Sequence, residues 1–295
     1  LSDKVKEGLV GWWKLDGNTN DSTGYSTSAT TNNTSFGYDR QGNYNKSYKF
    51  NGTTSYISIA DSSNLSITSE LTISLWFKRT GDITSSTGIQ SLISKSYYDE
   101  YDISFSNNDF AFFHGNNNSS NYGRYDFTTD ANSLFRKNTW YHIIVTRSGS
   151  GTNWIVKLYV NGKIYSEPTA SVTGTNTPTD SDNNIFIGSR NNGSNSVTEN
   201  SYFKGEISDV RIYKKVITQL DISNLYNEGG NIVVSNLITQ KESVLPVLHY
   251  KLDETSGLAL DSSGNGNHGT VSGATQTASG HDGKLNGAYS FDGGD

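Results

Sequence analysis

The chain contains no cysteine and no methionine, and three prolines in 295 residues. Without cysteine there is no disulfide, no thiolate metal site and no cysteine nucleophile. Basic residues are not in excess either. Lys and Arg number 23 against 29 Asp and Glu, a formal net charge of −6. That sign gives no general attraction to nucleic acid or to an anionic membrane surface, so neither is an expected partner. No apolar run is long enough to span a bilayer, and no signal-peptide core is visible. The opening "LSDKVKEG" is expected to be a processed end or the edge of a larger chain. G-x-S-x-G, Walker and H-E-x-x-H signatures are missing. The five histidines, His114, His142, His249, His268 and His281, show no ligand spacing, which argues against zinc.

What is present suits a β-protein. Hydrophobic residues make up 33% of the chain and aromatics 12%, enough for one sandwich-sized core. Charged residues are 18%, so polarity comes largely from Asn, Ser, Thr and Gly, which favour turns. Such usage resembles exported prokaryotic or viral surface proteins, and an extracellular, cell-surface or virion location is expected.

Alternating runs recur along the chain. "LTISLWFKR" (71–79) sets Leu, Ile, Leu and Phe against Thr, Ser, Trp and Lys, which is the period of a strand. "WYHIIVTRS" (140–148), "NIFIGSR" (184–190) and "FKGEISDVRIYKK" (203–215) continue the series. "NWIVKLYVNGKIYSE" (153–167) holds Asn161-Gly162 between two apolar runs, a hairpin signal. Shorter strands are expected at 55–59, 91–95, 101–105 and 109–115. One helix is expected over 218–228, capped by Thr218, ended by Gly229-Gly230, and placing Leu220, Leu225 and Tyr226 near one face. Many strands and one terminal helix predict an all-β fold, an antiparallel two-sheet sandwich.

The chain also repeats its own opening. Lys14-Leu15-Asp16 returns as Lys251-Leu252-Asp253, and "YKFNG" (48–52) returns as "YSFDG" (289–293) at nearly the same spacing. This predicts a first domain over 1–230, a linker over 231–246, and the opening part of a second copy over 247–295. Two lone strands in water are marginal, so 247–295 is expected to find partner strands in a longer chain or, failing that, on the first domain or on a neighbouring subunit by self-assembly.

The ordered series "GLVGWWKLDG…DSTG…YKFNGTTSYISI…LTISLWFKR…TWYHIIVTR…KLYVNGK…GEISDVRIYKKVITQLDISNLY" resembles the laminin-G-like, concanavalin A-like jelly rolls of bacteria, archaea and phages. The resemblance spans 7–230, and 247–295 is similar to the family's opening. It implies a jelly roll. It fixes no function, because the fold hosts lectins, adhesion modules, protein-binding modules and hydrolases.

Asp16, Asn18, Asn20 and Asp21 cluster in one loop, and Asp253, Glu254, Asp261, Asn265 and Asn267 do so in the repeat. Hard oxygen donors of this kind suit Ca²⁺. The resemblance implies an ion between the opening loop and the "DVRIY" strand, with Asp21 and Asp209 as ligands, Asp261 as the repeat's equivalent and Asp16 as a looser one. "TDSDNNIF" (179–186) sets Asp180, Asp182 and Asn184 at alternate positions but lacks the remaining residues of a calcium loop, so it reads as a polar loop feeding a strand.

For glycoside hydrolysis two carboxylates must flank the bond. Glu206 and Asp209 are three apart and would face opposite ways on a regular strand. Asp99, Glu100 and Asp102 lack the needed alternation, so no enzyme activity is expected. Tyr97, Tyr98, Tyr122 and Tyr125 are read as loop residues beside Asn116 to Asn118, and rings with amides suit sugars. Trp154 opens a strand and is expected to be partly exposed. The candidate ligand-binding residues are therefore Tyr97, Tyr98, Tyr122 and Trp154.

The expected function is a non-catalytic surface binding or adhesion module contacting glycans or proteins. The alternatives are a structural subunit of a filament, sheath or virion, and a carbohydrate-binding appendage of a secreted enzyme.

Overall fold

A computed structural model describes residues 6–26, 28–83, 88–97, 99–115, 122–151, 153–168, 177–228, 247–252, 258–263, 265–276 and 288–293. The chain divides into two compact units, Leu1–Gly230 and Asn231–Asp295. The expected linker, 231–246, lies outside the described residues.

The first unit is built from strands β1 (Leu9–Trp13), β2 (Thr30–Asn32), β3 (Ser35–Tyr38), β4 (Tyr44–Asn51), β5 (Tyr56–Ile59), β6 (Leu71–Arg79), β7 (Ile89–Ser96) and β8 (Tyr101–Ser106). Strands β9 (Asp109–Gly115), β10 (Tyr122–Thr128), β11 (Tyr141–Ser150), β12 (Asn153–Val160), β13 (Lys163–Ser166), β14 (Ile185–Ile187) and β15 (Lys204–Tyr213) follow. Helices are few: a short turn α1 (Ala131–Leu134) and α2 (Gln219–Asn227). An eight-stranded sheet runs β13-β12-β11-β6-β15-β4-β3, with β1 also paired to β15. A seven-stranded sheet runs β10-β9-β8-β7-β14-β5-β2. The strand pairs are antiparallel. The two-sheet jelly-roll sandwich expected from the sequence is the fold observed.

Between the sheets lies one apolar core that includes Trp13, Phe50, Leu75, Phe77, Ile103, Phe105, Phe112, Ile143, Val145 and Ile207. β6 is central and is buried on both faces, although its alternation reads as a half-exposed strand. The reason is α2, whose Tyr226 stacks on Trp76 with ring centroids 5.7 Å apart. Beneath α2 a second, smaller core gathers Leu9, Ile144, Tyr213, Ile217, Ile222 and Leu225. The helix begins where Thr218 and Asp221 form a reciprocal capping box. Its packed face is Ile222 and Leu225. Leu220 is 68% exposed and does not share it, which corrects the expected face.

Two local features place side chains for later use. Asn161 and Gly162 both take left-handed φ angles, 51° and 79°, and close the β12–β13 hairpin in two residues. In β15 the pairing register to β6 shifts between Ser208 and Arg211, and Asp209 takes a φ of 53°. Asp209 is thus the extra residue of a β-bulge. Ile207, Val210 and Ile212 face the core, so Glu206 and Asp209 share the outer face rather than opposite ones.

In the second unit, β16 (Thr275–Gln276) pairs with β17 (Tyr289–Ser290). Isolated bridges join Tyr250 to Asp261 and Ala259 to Gly269. One turn recurs in both units bond for bond. Asp21 Oδ1 accepts from the Trp12 and Thr23 amides, and Oδ2 from the Thr23 hydroxyl and the Ser26 amide, at 2.5 to 3.0 Å. Asp261 Oδ1 accepts from the His249 and Ser263 amides, and Oδ2 from the Ser263 hydroxyl and the Asn267 amide, at 2.7 to 3.0 Å. Leu15 and Leu252 carry matching left-handed φ angles of 58° and 57°.

His142 is buried in the α2 interface, with Nε2 2.9 Å from Ser74 Oγ and its ring stacked on Trp76 at 4.9 Å. Burial pushes its pKa down to about 3, and Arg211 and Arg40 add to the shift. His114 is likewise driven far down by burial, then by Arg147. A histidine with a depressed folded pKa lends stability above its unfolded pKa and loses it as pH falls. Stability should therefore drop between pH about 6.5, the unfolded value, and about 3. Urea midpoints of the His142→Asn variant, measured across that range, should show a flatter pH dependence than wild type.

Candidate functional site

The outer face of the seven-stranded sheet is set by period two. Phe110, Phe112, Tyr125 and Phe127 point into the core. Their neighbours Phe113, Tyr122, Arg124 and Asp126 therefore point outward. The segment expected as loop around Tyr122 and Tyr125 is the strand β10. Its burial alternates regularly, so Tyr122 and Tyr125 are strand residues on opposite faces.

Three rings meet on that outer face. Tyr97 and Tyr122 approach at 6.0 Å, Tyr97 and Phe113 at 6.2 Å, and Phe113 and Tyr122 at 6.1 Å between centroids. Arg190, from the segment after β14, lies over Tyr97 at 4.4 Å and Phe113 at 4.8 Å. Its Nη2 donates to Asp102 Oδ2 at 2.6 Å and Ser104 Oγ at 2.7 Å. Asp102 also accepts from Ser91 Oγ at 2.5 Å. Arg124 flanks Phe113 at 5.5 Å and is pinned by Asp109 (2.6 Å) and Asp126 (2.7 Å). Phe113 is buried, whereas Tyr97 and Tyr122 remain half-buried. The result is an aromatic shelf whose ring positions are fixed by ion-paired guanidinium groups.

The β7–β8 turn that carries Tyr97 also carries Asp99. A polar recess of about 430 Å³ opens there, lined by Asp99, Asp180, Ser181, Asp182, Asn183 and Asn195 among others. Asp99 is 3% exposed, and its buried Oδ1 has no hydrogen-bond partner among the described residues. Oδ2 receives Asn183 Nδ2 at 3.3 Å. The facing loop is held from behind. Glu100 accepts from the Ser181 amide and hydroxyl at 3.1 and 3.0 Å, and Lys95 Nζ donates to the Ser181 carbonyl at 2.6 Å. Glu100 and Lys95 pair with each other, both fully buried. Burial raises the Glu100 carboxyl, and Lys95 offsets part of that rise. No cluster of three or more His, Asp or Glu placed to hold a metal exists among the described residues. A cation in this recess would rest on Asp99 with amide, hydroxyl and carbonyl oxygens, a donor set of the kind Ca²⁺ accepts.

The four carboxylates first expected to bind calcium are engaged otherwise. Asp21 and Asp261 each take four protein donors, which occupy the lone pairs an ion would need. The Ser263 hydroxyl and the backbone amides hold the Asp261 carboxyl far below the usual range. Asp209 accepts from Trp12 Nε1 at 2.7 Å and pairs with Arg211 at 3.0 Å. Asp16 lies 3.6 Å from Lys46. These residues do not fit a shared ion. Of the expected ligand-binding residues, Tyr97 and Tyr122 come together. Trp154 is on the other sheet, its ring against His114 (5.4 Å) and Arg147 (5.2 Å). Tyr98 lies outside the described residues. The sequence patterns single out neither Phe113 nor Arg190, and Asp99 enters there only as a carboxylate weighed for glycoside hydrolysis. Alternation in 109–115 gave a signal for Phe113, but nothing local marked the other two.

Asp21→Ala should strand three amide donors and destabilise the protein by about 2–4 kcal/mol. Chemical denaturation should give the same loss in millimolar calcium and in chelator. A loss confined to calcium-containing buffer would return Asp21 to a metal role.

The family model described as concanavalin A-like lectin/glucanases superfamily matches residues 51–223. No curated protein matches the sequence. Among solved structures, the chain is similar to domain 4 of AbnA, an extracellular arabinanase of family GH43 from Geobacillus stearothermophilus, in complex with arabinotriose. The TM-score is 0.52 and the identity 20%, covering 74% of this chain and 98% of that one. It is also similar to botulinum neurotoxin type C, whose cell entry depends on two ganglioside molecules, with TM-score 0.57, 18% identity and coverage of 77% and 52%. A third is the binding domain of botulinum neurotoxin DC in complex with rat synaptotagmin II, at TM-score 0.54, 18% identity and coverage of 75% and 51%. The chain spans about half the length of these toxin structures.

Proposed function

The chain belongs to the concanavalin A-like lectin/glucanases superfamily, and on that premise we propose that its first unit is a non-catalytic glycan-binding module working outside the cell. The observation that carries this is the Tyr97–Phe113–Tyr122 shelf. Sugar rings present apolar C–H faces that stack on aromatic rings, while their hydroxyls need polar partners close by. The shelf supplies the rings, and Arg124 with Asp109 and Asp126 supplies a charged border. The rings are held in place beforehand, which lowers the ordering cost of binding. Of the solved structures named above, one is bound to arabinotriose and one is linked to gangliosides, which supports a glycan ligand, while the third is bound to a protein. Likeness to a domain of an extracellular arabinanase favours one further reading, a carbohydrate-binding appendage of a larger secreted enzyme.

Titration of the full chain with arabinotriose and with a sialylated ganglioside headgroup tests this. At least one should bind, and Tyr97→Ala or Tyr122→Ala should weaken it about tenfold, the scale of a lost aromatic contact. Absence of binding by both glycans, or full binding by both variants, would overturn the reading.

Calcium enters this proposal through Asp99 alone. A buried carboxylate oxygen without a donor is stabilised by a cation, and an ion that binds the folded state raises the melting temperature. Millimolar calcium, the range of extracellular modules of about 10⁻⁴–10⁻³ M affinity, should raise the melting temperature of wild type and leave Asp99→Ala unchanged.

A further inference from the structure

The eight-stranded sheet carries a recess of its own on its outer face. β1, β15, the β3–β4 loop and the end of α2 enclose a cleft of about 430 Å³. Its floor is preformed. Trp12 is half-buried there, its Nε1 tied to Asp209. Asp209 holds the Arg211 guanidinium through Nε (3.0 Å) and Nη2 (3.1 Å), and Glu228 Oε2 lies 2.6 Å from the same Nη2. Arg211 is 2% exposed, yet its Nη1 has no well-aligned acceptor among the described residues. The floor also contains the bulge residue Asp209, whose left-handed backbone is strained for a non-glycine and aims its carboxylate at Trp12.

The mouth differs from the floor. Asp16 and Lys46 face each other at 3.6 Å, an ion pair but too long for a direct hydrogen bond. Both are well hydrated, at 33% and 47% side-chain exposure, and both keep capacity for further partners. Lys14 at the same mouth touches the Trp12 ring at 4.8 Å. The cleft is lined by equal numbers of acidic and basic side chains, so it offers no net field to an anion or a cation. A neutral ligand with paired donors and acceptors fits such a lining best.

We propose that this cleft is a second sugar site. It takes one neutral sugar residue, with two adjacent hydroxyls bridging Asp16 and Lys46 at the mouth, above a floor in which Arg211 and Lys14 already pack against the Trp12 ring. The Asp16 carboxylate accepts from one hydroxyl, and the Lys46 ammonium donates to the other. The site is separate from the Tyr97 shelf, which lies on the outer face of the other sheet. One unit then holds two glycans on opposite faces and can bridge two chains of a glycan surface, raising avidity without a second protein.

The test uses the full chain, saturation-transfer NMR and calorimetry. The probes are the methyl glycosides of glucose, galactose, mannose, xylose and arabinose, with glucuronate as the charged control. Two double variants separate the sites, Asp16→Ala with Lys46→Ala, and Tyr97→Ala with Tyr122→Ala. Unfolding curves establish that each is folded. At least one neutral glycoside should still bind the tyrosine double variant and should bind it better than glucuronate does. The same glycoside should lose about tenfold or more of that residual affinity when Asp16 and Lys46 are also replaced, the loss expected for charge-assisted hydrogen bonds. Three results would overturn the proposal: residual binding unmoved by the Asp16 and Lys46 changes, loss of all binding in the tyrosine variant, or no neutral glycoside bound by wild type. The second leaves the Tyr97 shelf standing, and the arabinotriose and ganglioside titrations judge that shelf independently.

Discussion

The buried Arg147 guanidinium organises one end of the sandwich. It is fully enclosed and donates to the carbonyls of Ser69 (2.7 and 3.0 Å), Ile67 (2.6 Å) and Glu100 (2.9 Å). Burial lowers its pKa to about 9, with Glu100 offsetting part of the shift, so it stays charged at neutral pH. Glu100 in turn accepts from the Ile67 amide, from Ser181 and from Lys95. Lys95 also reaches Asp61 at 2.9 Å. One connected polar network therefore ties the segment before β6, the β7–β8 turn and the loop before β14. An unpaired charge in that place would cost several kcal/mol. Glu100 is consequently held in place, directly after Asp99 in the chain.

Both outer faces follow a common plan. Rigid strands carry the contact residues, and buried or half-buried ion pairs fix the rings between them. On the seven-stranded sheet Asp102 anchors Arg190 against Tyr97 and Phe113. On the eight-stranded sheet Asp209 anchors Arg211 against Trp12, at 4.4 Å. A guanidinium plane can stack on a ring and still bond a carboxylate at its edge, which an ammonium does less well. The charges near the rings thus act chiefly as fixtures. The more exposed charges, such as Asp16 and Lys46, lie at the borders.

The aspartate turn shows how one residue pattern permits two chemistries. An Asp in an Asn, Ser and Thr loop can bind an ion or can cap the loop's own amides. Here the amides of Trp12, Thr23 and Ser26 converge on Asp21, and the amides of His249, Ser263 and Asn267 converge on Asp261. Four short bonds to each carboxylate cap the loop's own donors. Asp99 is the reverse case. It sits in no recognisable motif, yet its buried Oδ1 has no hydrogen-bond partner among the described residues.

Local order was legible from the sequence. β6, β9 and the β12–β13 hairpin lie where alternation and Asn161-Gly162 put them, and α2 starts at its Thr218 cap. Each of these is encoded within ten residues or so by side-chain period and turn chemistry. The sequence alone thereby determined an antiparallel sandwich and the likeness of the two aspartate loops. It did not determine parity across the β15 bulge, the outward turn of Leu220 or the strand at 122–128. Nor could it bring Tyr97 to Tyr122, Arg190 to Asp102, or Asp99 to Asn183. These depend on which strands become neighbours and in what register, and a shift of one residue would send every side chain of a strand to the other face. Composition and period chose the layers. Long-range strand pairing and its register chose which side chains meet on the outer faces.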